Sequence, residues 1–384
     1  MTQLTGDWYR NPETQAVLKA LQAGGHQAYL VGGCVRNDLL GVAVSDMDIA
    51  TDAVPDEVVA LAEAAGLKPV PTGIEHGTIT IVARGIPHEV TTFRADVETD
   101  GRRAVVAFSK DIVEDAKRRD LTMNALYADA SGRVHDPLNG LPDLRARRVR
   151  FILNAADRIR EDYLRSLRFF RFAAWYGDPE QGFDPEALAA IADNLEGLDT
   201  LSRERVGAEI LKLFSAPDPA PAAAVMEQTG VLRVIMPGAT TRSLAPLIHH
   251  EAALGLAPEP LRRIAALGYG DGASLRLSKA QQRQLALLLD LVGGTDGPNA
   301  LGYVHGAEVA LSVLLLRAAM LEVAPDPDWP RITAEAASRE FPIRAADLMP
   351  ALTGPALGAK LKELQDRWIA SDFTLDRQAL LRQS

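Results

Sequence analysis

The spacing of apolar residues changes partway along the chain, and that change limits the fold more than any other feature. In the first 150 residues, β-branched runs alternate with helical spacing. Gly77-Thr78-Ile79-Thr80-Ile81-Val82 and His88-Glu89-Val90-Thr91-Thr92-Phe93 have the composition of strands. Tyr29-Leu30-Val31 is a short apolar run ahead of a glycine pair, and residues 55–66 have helical spacing with a proline near the start and a glycine stop. From about Asp157 onward the pattern is almost wholly helical. It is broken at Gly177-Asp178-Pro179, Ala216-Pro217-Asp218-Pro219, Pro237-Gly238, Gly293-Gly294 and Pro325-Asp326-Pro327. The expectation is an α/β head with a mixed sheet followed by all-α segments, with linkers near residues 216–220 and 293–298. A chain of 384 residues has room for two or three domains.

The lone cysteine, Cys34, excludes an internal disulfide and suits a reducing cytoplasm. The longest apolar stretch, residues 309–323, is interrupted by Ser312, Arg317 and Glu322, too polar and too short to span a bilayer. The first residues lack the basic and apolar regions of a signal peptide, so no membrane association is expected. The net charge of −10 argues against non-specific nucleic-acid binding. Residues 145–171, however, hold nine arginines against three acids. A basic strip on an acidic chain implies either a confined anionic partner such as phosphate or a solvated helix face.

Three features of the head carry candidate chemistry. Leu30-Val31-Gly32-Gly33-Cys34-Val35-Arg36 runs a strand into a glycine pair. Backbone without Cβ atoms can approach a bulky anion, and Arg36 is close enough in sequence to neutralise it; a plain tight turn is the other reading. Ser45-Asp46-Met47-Asp48-Ile49 follows. If it is a strand, Asp46 and Asp48 share a face and need a divalent cation between them, for which oxygen ligands suit Mg2+; a polar turn is the alternative. Glu89, inside a strand-like run, is a candidate third ligand or base, or an exposed strand glutamate.

Lys117-Arg118-Arg119-Asp120-Leu121-Thr122-Met123-Asn124-Ala125-Leu126 sets three cations before a helix-like stretch. Residues 135–144 read as a structural turn. In residues 158–174, Leu164, Leu167, Phe170 and Ala174 recur at helical spacing, with Asp162, Arg165, Arg168 and Arg171 forming a ridge beside them. One acid followed by three arginines is costly unless anions neutralise the ridge. His249-His250 lacks the aspartate spacing of a metal-dependent phosphohydrolase and reads as structural.

Together, Gly32-Gly33-Cys34-Val35-Arg36, Asp46-Met47-Asp48, Glu89-Val90-Thr91-Thr92-Phe93-Arg94, Arg118-Arg119-Asp120-Leu121-Thr122-Met123-Asn124-Ala125 and Glu161-Asp162-Tyr163-Leu164-Arg165 resemble, in order and spacing, the class II tRNA nucleotidyltransferase and poly(A) polymerase family. The resemblance covers about residues 26–175. It implies a polymerase-β-like head (1–150), a helical neck (151–215), a body (216–296) and a tRNA-binding tail (297–384). It implies that Gly32, Gly33 and Arg36 hold the triphosphate and that Arg119 contacts the nucleotide. Asp46 and Asp48 would bind two Mg2+, with Glu89 as third carboxylate. Asp162 and Arg165 would read the base edge, and Arg168 and Arg171 would lie near phosphates. One departure is Asn37, where the family commonly has aspartate.

The implied partners are ATP, CTP and the acceptor arm and 3′ end of tRNA; no protein partner is implied. Cytosine and adenine both pair an exocyclic amine with a ring acceptor, which Asp162 and Arg165 can match, whereas UTP and GTP would set like against like. Residues 94–103 resemble the loop that family members need to switch from CTP to ATP, which favours complete CCA addition. Poly(A) addition or partial CC or A addition is the alternative; a basic C-terminal extension typical of the polyadenylating members is missing, since residues 360–382 carry five cations and four acids. A non-catalytic RNA-binding relative would be expected to have lost one of the three carboxylates.

Overall fold

The computed structural model describes residues 2–96 and 106–382. The chain forms two compact units, Met1–Leu201 with Thr229–Val231, and Ser202–Gln228 with Leu232–Ser384.

The first unit is built on a seven-stranded mixed sheet. Its strands are β1 (Ala28–Val31), β2 (Asp48–Thr51), β3 (Lys68–Gly73), β4 (Thr78–Ala83), β5 (Ile86–Thr92), then β8 (Tyr127–Ala128) and β9 (Val134–His135) after the separate ribbon of β6 (Arg94–Asp96) and β7 (Val106–Phe108). The order across the sheet is β3-β4-β5-β2-β1-β8-β9. Only β2 and β5 run parallel, with Asp48 opposite Glu89 and Ile49 opposite Val90. The strands form where the β-branched runs predict them. In β4 the alternation buries Ile79, Ile81 and Ala83, and Ile49 and Val90 are buried with them. Helices α1 (Pro12–Ala23) and α3 (Pro55–Ala64) pack on that face through Val17, Leu18, Leu21, Val58 and Ala62. Removing these aliphatic side chains from water supplies on the order of 1.5–3 kcal/mol each, which fixes the helices to this face of the sheet. The opposite face holds Ala50, Phe93, Ala116, Tyr127 and Ile152. Asp48, one residue from Ile49, emerges on this second face.

Helix α2 (Gly33–Leu39) follows β1 at once, and α4 (Ile112–Lys117) precedes the Arg118-Arg119 pair. The stretch after that pair is not the helix its sequence suggests. It is a single 3-10 turn, Thr122–Asn124, because Leu121 is drawn into a bridge with Phe151 and the segment is buried. Helix α5 (Leu141–Arg145) is capped by Asp136, which accepts from the Gly140 and Leu141 amides, in keeping with a structural turn.

The expected helix over 158–174 is two helices, α6 (Ala155–Glu161) and α7 (Leu164–Tyr176). The chain breaks at Asp162, whose backbone is extended (φ −155°, ψ 103°) and whose Oδ1 accepts from the Leu164 amide. An aspartate that competes for a backbone donor ends one helix and starts the next. Leu164, Leu167 and Phe170 bury the apolar face of α7, and Phe169 stacks on Phe151. At Gly197 a Cβ would sit 1.9 Å from the Tyr163 ring, so only glycine fits there.

In the second unit all named elements are helices. Its core includes a buried ion cluster in which Glu251 pairs with Arg262 and Arg263. Among the described residues no helix is long and apolar enough to cross a membrane.

Candidate active site

The carboxylates come together at the edge where β2 begins. Asp48 is the first residue of β2 and Glu89 is its register partner on β5, so both side chains leave the same face. Asp46 lies in the exposed loop before the strand, held by a hydrogen bond from Ser45 Oγ at 3.0 Å. The two aspartates therefore do not share a strand; the loop carries one and the strand end the other. Burial, and then the Glu89 carboxylate, push the Asp48 carboxyl up to about 6; Asp46 adds to this, while Arg119 and Arg36 pull against it. A half-buried acid facing two more acids is a hard-oxygen donor set short of positive charge, and a divalent cation fits it. Among the described residues no group of three or more acidic, histidine or cysteine side chains is placed so that it could hold a metal ion by itself, so an ion here would need oxygen donors from a bound phosphate as well. Cys34, by contrast, is buried and its thiol is pushed up to about 12, which leaves it inert.

The glycine loop lies beside this edge. Gly32 has φ 72° and ψ −120°, a backbone that side-chain-bearing residues avoid. A Cβ there would stand 3.5 Å from Nη1 of Arg119. The space over Gly32 is thus bounded by a guanidinium. Arg119 is aimed by Asp115, which accepts from its Nη2 at 3.0 Å, and its Nε donates to the Tyr127 hydroxyl at 3.0 Å. The same carboxylate accepts from Arg118 Nε at 2.9 Å and from the Tyr127 hydroxyl at 2.7 Å. Two guanidiniums hold Asp115 below the usual carboxylate range despite its burial. Nothing in the sequence marked Asp115; a lone acid on a short helix has no local signature.

Arg36 is 6% exposed. Its Nη1 donates to Asn124 Oδ1 at 2.5 Å, its Nη2 to the Tyr176 hydroxyl at 2.9 Å, and Nε and Nη2 both donate to Asn37 Oδ1. The guanidinium carbon lies 4.1 Å from the centroid of the Tyr176 ring. Every one of these acceptors is neutral, and burial lowers the Arg36 pKa. Asn37 explains its own departure from the family pattern: it orients Arg36 without neutralising it.

The arginine ridge is less bare than its sequence suggests. Arg165 Nη1 meets Glu161 and the Arg158 carbonyl, and Nη2 donates to the Arg118 carbonyl at 3.0 Å. Arg168 Nε donates to Asp120 Oδ2 at 2.6 Å, and Asp120, 8% exposed, is held below the usual carboxylate range by that contact and by Asn124. Protein acids, not only ligand anions, neutralise the ridge; Asp120 is 48 residues away and invisible to a local reading. Arg171 lies over Phe172, 4.4 Å from its centroid. Asp162 stands at the start of α7 rather than on its ridge. All of these residues, with the acids and the glycine loop, belong to the first unit. Positions 97–103 of the proposed switching loop lie outside the described residues. His250, in the second unit, is buried, and burial lowers its pKa.

Residues 28–150 match the family described as the poly A polymerase head domain, and residues 182–242 match a probable RNA and SrmB-binding site of polymerase A. The chain is 32% identical to the CCA-adding enzyme of Lacticaseibacillus paracasei, over 95% of this chain and 94% of that protein. It is 31% identical to mouse mitochondrial CCA tRNA nucleotidyltransferase 1, over 93% of this chain and 86% of that protein. The human counterpart is 43% identical, but over 44% of its own length. Among solved structures, the Bacillus stearothermophilus CCA-adding enzyme in complex with CTP superimposes with a TM-score of 0.72 at 28% identity, covering 94% of this chain and 93% of that one.

Proposed function

The chain belongs to the class II tRNA nucleotidyltransferase and poly(A) polymerase family, and from that membership we propose that it adds C, C and A to the 3′ end of tRNA from CTP and ATP, releasing pyrophosphate and using no nucleic-acid template. One observation carries the reading. Asp48 stands opposite Glu89 on the parallel β2–β5 pair, and the Gly32 turn that follows the neighbouring β1 has Arg119 Nη1 3.5 Å from its Cβ position. A metal-binding acid couple and a phosphate-seeking arginine therefore border one edge of the sheet, which is what nucleotidyl transfer needs.

Asp46 and Asp48 would hold divalent metal, with Glu89 as third carboxylate, and Mg2+ is the ion their oxygen donors suit. A divalent ion held by these carboxylates would supply Lewis acidity toward the primer 3′ hydroxyl and countercharge for the pyrophosphate. Gly32 and Gly33 keep the loop free of side chains, Arg119 Nη1 borders the space above it, and Arg36 supplies a buried positive charge. Arg165, pinned through Nη1 and Nη2, and Asp162, pinned by the Leu164 amide, are pre-set to read an amine beside a ring acceptor. Arg168 and Arg171 line α7 toward the phosphates. Residues 1–150, 151–215, 216–296 and 297–384 serve as head, neck, body and tail, with the tail gripping tRNA. The single cysteine fits a cytoplasmic setting.

The test is incubation of the pure protein and Mg2+ with tRNA lacking its 3′ end, supplied with CTP, ATP, both, or UTP. Three added residues followed by a stop support the reading. A long A-tail would instead favour polyadenylation, the second reading, which the head-domain match keeps in view. No incorporation from any nucleotide overturns both.

A further inference from the structure

Two of the groups that hold Arg36 lie outside the glycine loop and outside every residue given a role above: the Asn124 amide oxygen and the Tyr176 hydroxyl. Both lead to the base-reading helix. Tyr176 is the last residue of α7. Asn124 Nδ2 donates to Asp120 Oδ1 at 3.0 Å, and Asp120 Oδ2 accepts from Arg168 Nε at 2.6 Å. The guanidinium thus meets α7 twice, directly at its C-terminal end and through Asn124 and Asp120 at its middle. On the reading of Arg36 as a triphosphate ligand, we propose that Tyr176 and Asn124 are positioning residues that lock its guanidinium to α7, so that the triphosphate and the base are gripped as one unit.

The chemistry of the two residues fits that role. The rings of Tyr176 and Phe172 lie 4.1 and 5.0 Å from the guanidinium carbon, and an aromatic face steadies a cation without cancelling it. The hydroxyl and the amide fix the direction of the N–H groups and are uncharged. A carboxylate in either place would close the charge and weaken the pull on an anion. Among the described residues none lies within ion-pair distance of Arg36. Asp120 and Asp48 act on it only from beyond contact, and in a buried setting such a charge is felt strongly by a phosphate. Its geometry is also rigid, since four donor contacts leave little freedom to a side chain that otherwise has many rotamers.

Inorganic tripolyphosphate, used as a competitive inhibitor against CTP, reads the phosphate grip without the base. Full-length protein is assayed with tRNA lacking its 3′ end. Tyr176→Phe keeps the ring and removes the hydroxyl; it should raise the tripolyphosphate Ki and the KM for CTP and ATP by about fivefold, with kcat and the KM for tRNA unmoved. Tyr176→Leu, which removes the ring as well, should raise both by about 30-fold. An unchanged Ki in folded Tyr176→Leu overturns the proposal, as does a tRNA KM that rises in step, since that marks a general loosening of the helix. If Tyr176→Leu fails to fold, Tyr176→Phe decides on the same criteria. Arg36→Met separates the two levels: a Ki lost there and kept in the tyrosine variants sinks this inference alone, whereas a Ki kept in both sinks the assignment of Arg36 as well.

Discussion

Arg36 in the first unit and Arg263 in the second are both buried, at 6% and 1% exposure, yet they are held in opposite ways. Arg263 spends every N–H on the protein. Nε and Nη2 reach Glu251, Nη1 reaches the carbonyls of Phe214 and Ala216, and Nη2 reaches that of Pro217. The Phe214 carbonyl ends the helix Arg203–Phe214, and those of Ala216 and Pro217 lie just past it, so the cation also meets the negative end of a helix dipole. Arg36 is fixed as firmly but only by neutral acceptors. Burial alone does not separate these two arginines; the charge of their acceptors does. Glu251 closes the charge of Arg263, which holds the fold together. Among the described residues no carboxylate touches Arg36, and its charge is left available to a ligand, whereas Arg119, Arg165 and Arg168 combine an acidic partner with a place at the site. The acids at Asp48 repeat the pattern with the sign reversed.

Substitutions should expose this contrast, and the acid side should respond most. Asp48→Asn is expected to cut nucleotide transfer by about 10³-fold or more, measured as single-turnover incorporation, with tRNA affinity held within about twofold. Arg263→Met should destabilise the chain by about 3 kcal/mol in denaturant unfolding, because it leaves helix-end carbonyls unpaired and Glu251 with one partner fewer. Activity per folded molecule should survive it. Arg36→Met inverts that outcome: stability should move by no more than about 1 kcal/mol, since the buried charge removed has no carboxylate in contact, while the KM for CTP and ATP rises about 50-fold. If the two arginine variants behave alike, the contrast fails. Asp162→Ala should relax discrimination against UTP by about tenfold more than it weakens triphosphate binding; equal losses would remove Asp162 from base reading.

The smallest effect concerns pH. The Asp48 carboxyl is raised to about 6, so in the folded chain its ionisation is disfavoured. Metal-free protein therefore loses some stability as pH climbs from the ordinary carboxylate range through about 6, the reverse of a salt-bridged acid. Divalent metal removes that penalty. The gain in Tm on adding Mg2+ should be larger at pH 7 than at pH 5, and at limiting Mg2+ incorporation should fall as pH drops below about 6, with saturating Mg2+ moving that fall to lower pH. An equal gain at both pH values would take Asp48 out of the metal site.

Much of this was legible in the residues alone. The strands, the glycine loop and the acid at the start of β2 follow from alternation of period two, from a missing Cβ and from Asp48 adjoining Ile49. These are signals confined to a few neighbouring residues. The break at Asp162 was not legible, because helical spacing runs through it and only the capping bond to Leu164 reveals the turn. Nor could spacing show that Asp46 stands in a loop, since Asp-x-Asp suits loop and strand equally.

By itself the sequence determined most of the strands and helices, though not the turn at 122–124 or the break at Asp162, together with which faces are apolar and which residue types are available for chemistry, because each depends on interactions within a turn or a pleat. Tertiary structure alone decided which charges are closed and which stay open. Asp115 gathers Arg118 and Arg119 around Tyr127, Asp120 reaches Arg168 across 48 residues, and Tyr176 meets Arg36 across 140. Electrostatic pairing acts through space, and chain separation carries no trace of it until the fold brings the partners together.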